Sequence, residues 1–409
     1  MSLQIDPPVT APLLRALPAQ DRERAVSILE NCLADTLAHV TTVYGSGTTP
    51  ITSWGGTAEA NIRPPASIAY GLAVAVTAGL GGETERAQAV RLLTSVAATH
   101  KANSPTGWGG VPIAGTITPD DKTPAWQGAM WVAYAAIAGR LLWAHLTEAQ
   151  RGQVDAMVKL EADRFLTYRA PSYRNRSGAI VTAGDSKTEE NGWNSWVLFL
   201  AAAALPGDAN ASTWKEKGIE LVLSAAASPG SVDSRRVING YTLGAVLTGS
   251  NLEMDGYQVN HGLRSPHYTS SVRQCWIAGL VYAWLSGEAA PAACFHNGDL
   301  AYWGVSDAKI GSSSAYTPGT YAIYYPDGAE GDPDRMNGFA QFDACAHIAG
   351  RDVLATTPAI VWFRLHADRQ IALQATDGSR RGWFDLQTAA DAVLSDWIVQ
   401  EHGPVVSNR

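Results

Sequence analysis

Residues 124–146 read PAWQGAMWVAYAAIAGRLLWAHL, and residues 148–168 follow them with apolar side chains on one side only. The first segment is apolar nearly all round, broken only by Gln127, Arg140 and His145. A helix of that kind has no face to offer water, so other helices must enclose it. The second opens on Thr147-Glu148-Ala149-Gln150, a capping-box pattern, and starts a helix with a wet face.

The alternation recurs on both sides of this pair. Towards the N-terminus, 21–42 (DRERAVSILENCLADTLAHVTT) repeats its apolar residues at spacings of three and four behind Asp21, a candidate cap. Residues 65–80 are apolar nearly all round and stop at Gly81-Gly82, whereas 84–100 (TERAQAVRLLTSVAATH) are amphipathic. Towards the C-terminus, 188–204 are apolar, 212–227 more polar and 269–286 (TSSVRQCWIAGLVYAWLS) apolar again. Helices near 334–350 and 384–401 close the series. Buried and half-exposed helices in alternation predict an all-α fold in two layers, an (α/α) toroid or barrel of five to seven helix hairpins. With neither a strict repeat nor a run of alternating strands, a single domain is expected over 1–409, with 1–20 as an extended N-terminal arm. Three loops rich in Gly, Pro and aromatic residues, 45–65, 103–124 and 302–333, interrupt the helices, and long structured loops commonly carry function.

Composition narrows the partners. Hydrophobic residues make up 46% and charged residues 17%, which supplies a large core and little for a disordered tail. A net charge of −8 speaks against a nucleic-acid partner. It does not exclude an anionic sugar polymer, because a few arginines in one cleft override a mildly negative surface. Trp and Tyr, 14 each, outnumber the 7 Phe, a balance that suits a surface handling sugars, although most of these rings are expected in the core. Cys32, Cys275, Cys294 and Cys345 have no C-x-x-C spacing, which argues against a zinc or redox site. Cys32 and Cys275 are expected to pack as small hydrophobes. His261 and His267 lack supporting ligands and the acidic run Asp327–Asp334 lacks the calcium-loop spacing, so neither a metal nor a cofactor is expected. No signal peptide is visible in MSLQIDPPVTAPLLRALPAQ. The apolar run Trp196–Leu205 is too short to span a bilayer, so a soluble protein without membrane contact is expected.

Two segments concentrate chemistry. In Thr188-Glu189-Glu190-Asn191-Gly192-Trp193-Asn194-Ser195-Trp196, Thr188 is a plausible N-cap, which puts Asn191 and Asn194 on one face of the first turns. Asparagine is a poor helix-interior residue, so two of them beside tryptophans need a reason, the plain one being a polar helix start. The stretch from Asn251 to Thr269 gathers Asp255, Tyr257, His261, Arg264, His267 and Tyr268 just before an apolar helix, whose N-terminus is a natural place for an anion. Its plain alternative is a decorated surface loop.

Together these segments resemble the active site of the toroid polysaccharide lyases, including the chondroitin and hyaluronate lyases. The resemblance rests on Asn191 with Trp193, on Asp255-Gly256-Tyr257-Gln258-Val259-Asn260-His261, and on Tyr268-Thr269. Ser270-Ser271-Val272 stands where those enzymes carry Gly-x-Tyr-Gly. With no β-sandwich evident, the closer likeness is to the single-domain enzymes that act on glucuronan and related polyuronates. The resemblance implies a secreted or periplasmic enzyme that cuts an anionic polysaccharide by β-elimination, glucuronan first and alginate second.

The chemistry explains why these residue types belong together. The C5 proton of a uronate is weakly acidic beside a carboxylate that is already negative, so amide and guanidinium donors must neutralise that carboxylate. Asn191, with Asn194, would supply the amides, and Arg264 is a candidate clamp. His261 suits the base, and Tyr268 either base or acid. Trp193, Arg63, Tyr257, His267 and Trp126 complete the expected substrate contacts. Arg174, Arg176 and Arg235-Arg236 are further candidates, as are Trp54, Trp108 and Trp131 as sugar platforms. Tyr324-Tyr325 is a rival source of the tyrosine.

Two other readings stand beside this one. Helical toroids also host glycoside hydrolases, which need two carboxylates. Glu189, Glu190, Asp255, Glu330 and Asp332 could supply the pair, as in an unsaturated-uronyl hydrolase. A glycan-binding protein without turnover would explain the aromatic and arginine residues but not a basic His beside a Tyr.

Overall fold

The structure is a computed structural model that describes residues 12–111, 124–329 and 334–408, the side chains of 124–126 excepted. It is predominantly helical, as the periodicity predicts. The helices are α1 (Ala19–Glu30), α2 (Leu33–Tyr44), α3 (Glu59–Thr77), α4 (Glu83–Ala98), α5 (Pro124–Leu141), α6 (Glu148–Asp163), α7 (Thr188–Ala204) and α8 (Ala211–Ala225). Next come the short α9 (Pro229–Val232), α10 (Leu243–Val246) and α11 (Pro266–Thr269), then α12 (Arg273–Ser286), α13 (Gly298–Ser306), α14 (Met336–Ile348), α15 (Ala359–Thr376) and α16 (Trp383–His402).

Strands are two residues long and serve as clips between loops. β1 (Arg174–Asn175) pairs antiparallel with β4 (Gly249–Ser250), and β2 (Val237–Ile238) with β3 (Tyr241–Thr242). β5 (Val259–Asn260) and β6 (Leu263–Arg264) form a hairpin, while β7 (Ala290–Pro291) runs parallel to β8 (Val406–Ser407).

Two kinds of helix are present. On α3, α7, α12, α14 and α16 burial runs nearly without a break, for instance from Glu190 to Ala203 on α7. On α15 it is confined to Ala359, Trp362, Phe363, His366, Ala367, Gln370 and Gln374, a stripe at spacings of three and four. The buried helices touch in sequence. α3 packs on α5, α5 on α7, α7 on α12, α12 on α14, α14 on α16 and α16 on α3. The half-exposed helices lie against them, α4 on α3 and α5, α6 on α5, α8 on α7 and α15 on α14.

Some boundaries differ from those the sequence suggests. The 21–42 segment is broken at Asn31-Cys32 into α1 and α2. Asp21 is not a cap: it lies fully buried inside α1 and takes the Arg364 guanidinium at 2.9 and 2.8 Å. Thr188 is the first residue of α7 rather than its cap, because its hydroxyl is occupied with Ser186. The 269–286 run reaches helical geometry only after the short α11 and a 3-10 turn. Thr147 and Gln150 do form the capping box. All four cysteines are buried and free. Among the described residues no helix is long and apolar enough to cross a membrane.

Candidate active site

The N-terminal ends of five buried helices meet at one cavity of about 330 Å³. They contribute Arg63 from α3, Glu189 from α7, Arg273 and Gln274 from α12, Asn337 from α14 and Asp385 with Gln387 from α16. Arg63 and Arg273 bring positive charge to this space. Arg335 and Arg380 add to it, which brings the lining arginines to four among the described residues. The lining arginines outnumber the two lining carboxyls, Glu189 and Asp385.

The arginines are held in different ways. Arg273 is buried, with Nε on Asp391 at 3.1 Å and one Nη donating to the Ser270 carbonyl at 3.0 Å. Asp391 also accepts the Tyr70 hydroxyl at 3.3 Å, and the Tyr70 ring stacks on Tyr134 in the cavity wall at 5.1 Å. Arg63 pairs with Glu59 at 2.6 Å one turn before it and lies over the half-exposed ring of Phe384 at 5.3 Å. Arg335 makes no ion pair among the described residues and faces His267 closely enough to oppose its protonation.

Three titratable groups complete the wall. Burial, reinforced by the Glu190 charge beside it, pushes the Glu189 carboxyl up to about 8 although Arg63 and Arg273 pull the other way. At neutral pH it therefore carries its proton and can donate a hydrogen bond. Burial, with Arg335 and Arg273 adding to it, lowers His267 to about 3, so its imidazole stays neutral. Tyr268 is half-buried between two rings, with His267 at 5.6 Å and His261 at 5.5 Å. The Ser265 hydroxyl caps the short α11 that carries both His267 and Tyr268.

The same wall is short of hydrogen bonds. Arg63 Nε, Gln370 Nε2, Ser271 Oγ, Gln274 Oε1, Gln387 Oε1 and His267 Nδ1 are buried without a partner. Such atoms are rare in a folded protein and each costs about 1–3 kcal/mol. Donors and acceptors both occur among them.

Of the residues singled out in the sequence, Arg63, His267, Tyr268 and the rival carboxylate Glu189 line this cavity. Others lie elsewhere. Asn191 is fully buried, and its Nδ2 donates to the Pro171 carbonyl at 3.0 Å and the Ser224 hydroxyl at 3.2 Å. Its amide nitrogen thus ties the loop before α7 to α8, its Oδ1 is buried without a partner among the described residues, and the residue stands outside the cavity lining. Asn194 and Trp193 are likewise buried away from the cavity, as is Tyr257. Arg264 is turned to Asp255 at 3.4 Å while its backbone N–H donates to Asp327 at 2.9 Å, which makes it a clamp on the hairpin. His261 sits exposed at the hairpin tip with φ +50°, beside Gly262 at φ +81°, and meets Tyr268 edge-on. It adjoins the tyrosine without lining the cavity.

Arg174 pairs with Glu253, and Arg176 donates to the Gly244 and Leu247 carbonyls, so both are structural. Of the rival carboxylates, Glu190 pairs with Lys187 and Asp255 with Arg264. Glu330, Asp332 and the Trp126 side chain lie outside the described residues.

Sequence reading did not single out Arg273, Arg335, Arg380, Asn337, Asp385, Gln370 or Gln387. One signal was there for Arg273, a lone charge at the head of the otherwise apolar 269–286 run. No protein-family model matches the chain, and neither a curated protein nor a solved structure matches it, so the reading of this site rests on its own residues.

Proposed function

We propose that the chain is a secreted or periplasmic polysaccharide lyase whose buried helices form the inner ring of a single-domain (α/α) toroid, with the arginine cavity at its mouth. The contact cycle α3–α5–α7–α12–α14–α16–α3 supports the ring. So does the meeting of five helix starts at one end, which helix hairpins repeated around a ring would produce.

One observation carries the enzymatic reading. A half-buried tyrosine, a protonated carboxyl and four arginines share one cavity. A uronate bound there would set its carboxylate against Arg273 and Arg63, with Glu189 donating its proton as a hydrogen bond. The negative charge that spreads from C5 into that carboxylate would thereby be stabilised. Tyr268, acting as its phenolate, takes the C5 proton and becomes the hydroxyl, the C5–H electron pair forms the C4–C5 double bond, and the C4–O bond breaks. The departing glycosidic oxygen receives a proton from a tyrosine hydroxyl, which one residue supplies when proton and leaving group lie on the same face. His267, held neutral, does not compete with the arginines for the substrate charge. Glu189 thus replaces Asn191 as the neutralising group. Glucuronan is the first substrate expected and alginate the second.

A second reading has its own observation. Glu189 and Asp385 line the same cavity, and a carboxyl raised to about 8 suits the general acid of a glycoside hydrolase. Ultraviolet absorbance during incubation with glucuronan, alginate, hyaluronan and pectate separates the two. A rise from the conjugated double bond establishes elimination, and new reducing ends without that rise would sink it in favour of hydrolysis. Neither signal on any of the four polymers would mean a substrate outside the panel or a wrong lyase reading, and binding assays come next.

A further inference from the structure

The loops before α3 and after α4 face each other across a second depression of about 280 Å³. Its lining is unlike that of the arginine cavity. Thr52, Ser53, Thr57, Thr99, Ser104 and Thr106 supply hydroxyls around Trp54, and no ionisable side chain is among the lining residues. A site without charge selects a neutral ligand, since nothing there would offset the desolvation of an ion.

The tryptophan is fixed in place before any ligand arrives. Its indole N–H donates to Thr99 Oγ1 at 2.8 Å, and its ring meets Tyr44 edge-on at 5.6 Å. Its carbonyl accepts from Asn61 Nδ2 at 3.0 Å. The opposite wall is equally rigid. The Gly107 N–H donates to the Ser104 carbonyl at 2.8 Å, and a Cβ at position 107 would stand 2.2 Å from the Thr99 carbonyl, so only glycine permits the approach. Beneath it, buried Glu161 joins His100, Arg164 and the Gly110 N–H into one network. The Thr52, Thr57, Ser104 and Thr106 hydroxyls, by contrast, make no hydrogen bond among the described residues. A rigid aromatic ring ringed by uncommitted hydroxyls matches a pyranose, which has a C–H face for stacking and hydroxyls at its rim.

We infer that this depression is a neutral-sugar subsite, where the Trp54 indole carries one pyranose ring and the hydroxyls of Thr57, Ser104 and Thr106 meet that sugar's own. The inference stands apart from the reaction at the arginine cavity and holds for lyase, hydrolase or binding protein alike. Asn61 clamps Trp54, and two residues further on Arg63 lines the cavity, so the first turn of α3 links the two sites. A glycan that used both would carry neutral residues away from the uronate.

The test is calorimetric titration of the full chain with neutral tetrasaccharides of glucose, xylose, mannose and N-acetylglucosamine. At least one should bind saturably. Trp54→Ala should weaken it tenfold or more, and Thr106→Ala together with Ser104→Ala severalfold. Trp54→Phe keeps an aromatic face and should retain most of the binding, which guards against mistaking misfolding for lost contact. A tetraglucuronate should not displace the neutral sugar. Absence of binding across the four sugars, indifference to Trp54→Ala in a folded variant, or full displacement by tetraglucuronate would each overturn the inference.

Discussion

Two clusters in this protein are made from the same residue types and have opposite characters. In the first, Asp343 accepts the Tyr302 and Tyr316 hydroxyls on one oxygen at 2.9 Å each and meets His366 Nδ1 with the other at 2.6 Å. All four side chains are fully buried, and no cavity described above reaches them. In the second, His267, Tyr268 and Glu189 stand around open space with unpartnered atoms beside them. An inventory of His, Tyr and carboxylate would rank the first as the better active site. Accounting for access reverses the ranking, because both oxygens of Asp343 are already engaged and, although His366 Nε2 has no partner among the described residues, neither cavity opens onto it.

The contrast can be broken by mutation. Tyr268→Phe should lower turnover by about 10²–10⁴-fold, the range for a lost acid–base group, with the melting temperature unchanged. Asp343→Ala should do the reverse. It orphans a buried histidine and two buried hydroxyls, so a loss of about 3–5 kcal/mol in stability is expected with turnover per folded molecule kept. If turnover fell in Asp343→Ala at full stability, the sealed cluster would have to open during function. Asn191→Ala falls on the structural side too, with a stability cost of about 1–3 kcal/mol and little change in turnover. The opposite result would restore the asparagine to the substrate.

The smallest effect sharpens the chemistry. The raised Glu189 carboxyl holds its proton up to about pH 8 and loses it above, so activity should fall on the alkaline side of that value. Glu189→Gln keeps a hydrogen-bond donor and cannot ionise, so it should flatten that limb and change turnover at pH 7 less than tenfold. Stability follows the same sign. The native state binds the extra proton between the ordinary carboxylate range and pH 8, so stability declines with rising pH across that window, and Glu189→Gln should remove the decline. Thermal melts from pH 4 to 9 check it.

How far the sequence could be read depends on the range of the interaction involved. Periodicity reports whether a helix is enclosed, and the helical class with its two kinds of helix followed from segments such as 124–146. Helix breaks were less visible. Asn31-Cys32 carries no proline or glycine, and the break there is made by tertiary contacts such as Asn31 Nδ2 donating to Gln374 at 3.1 Å. In the site, Tyr268, His267, Arg63 and Glu189 were within reach because each stands in a locally unusual setting. Arg335, Asn337, Asp385 and Gln370 were not, because their meeting depends on α14, α15 and α16 arriving beside α3 and α7. Asn191 lies outside the cavity lining for a related reason: an asparagine in an apolar helix announces a buried hydrogen bond, and the partner can be protein as readily as substrate.

The packing of α16 against α3 bears on how the molecule is made. Tyr70 and Asp391 are 321 positions apart, and Leu17 bonds Asp396 across 379. Contacts at such separation form late, since the loop they close must first surrender its entropy. During synthesis the apolar flank of α3 therefore emerges from the ribosome long before the helix that covers it. At about 5–20 residues per second, the nascent chain has to shelter that flank for tens of seconds. Chaperone demand should accordingly track the interval before α16 emerges, and synonymous codons that slow elongation between α3 and α16 should lower the yield of soluble protein.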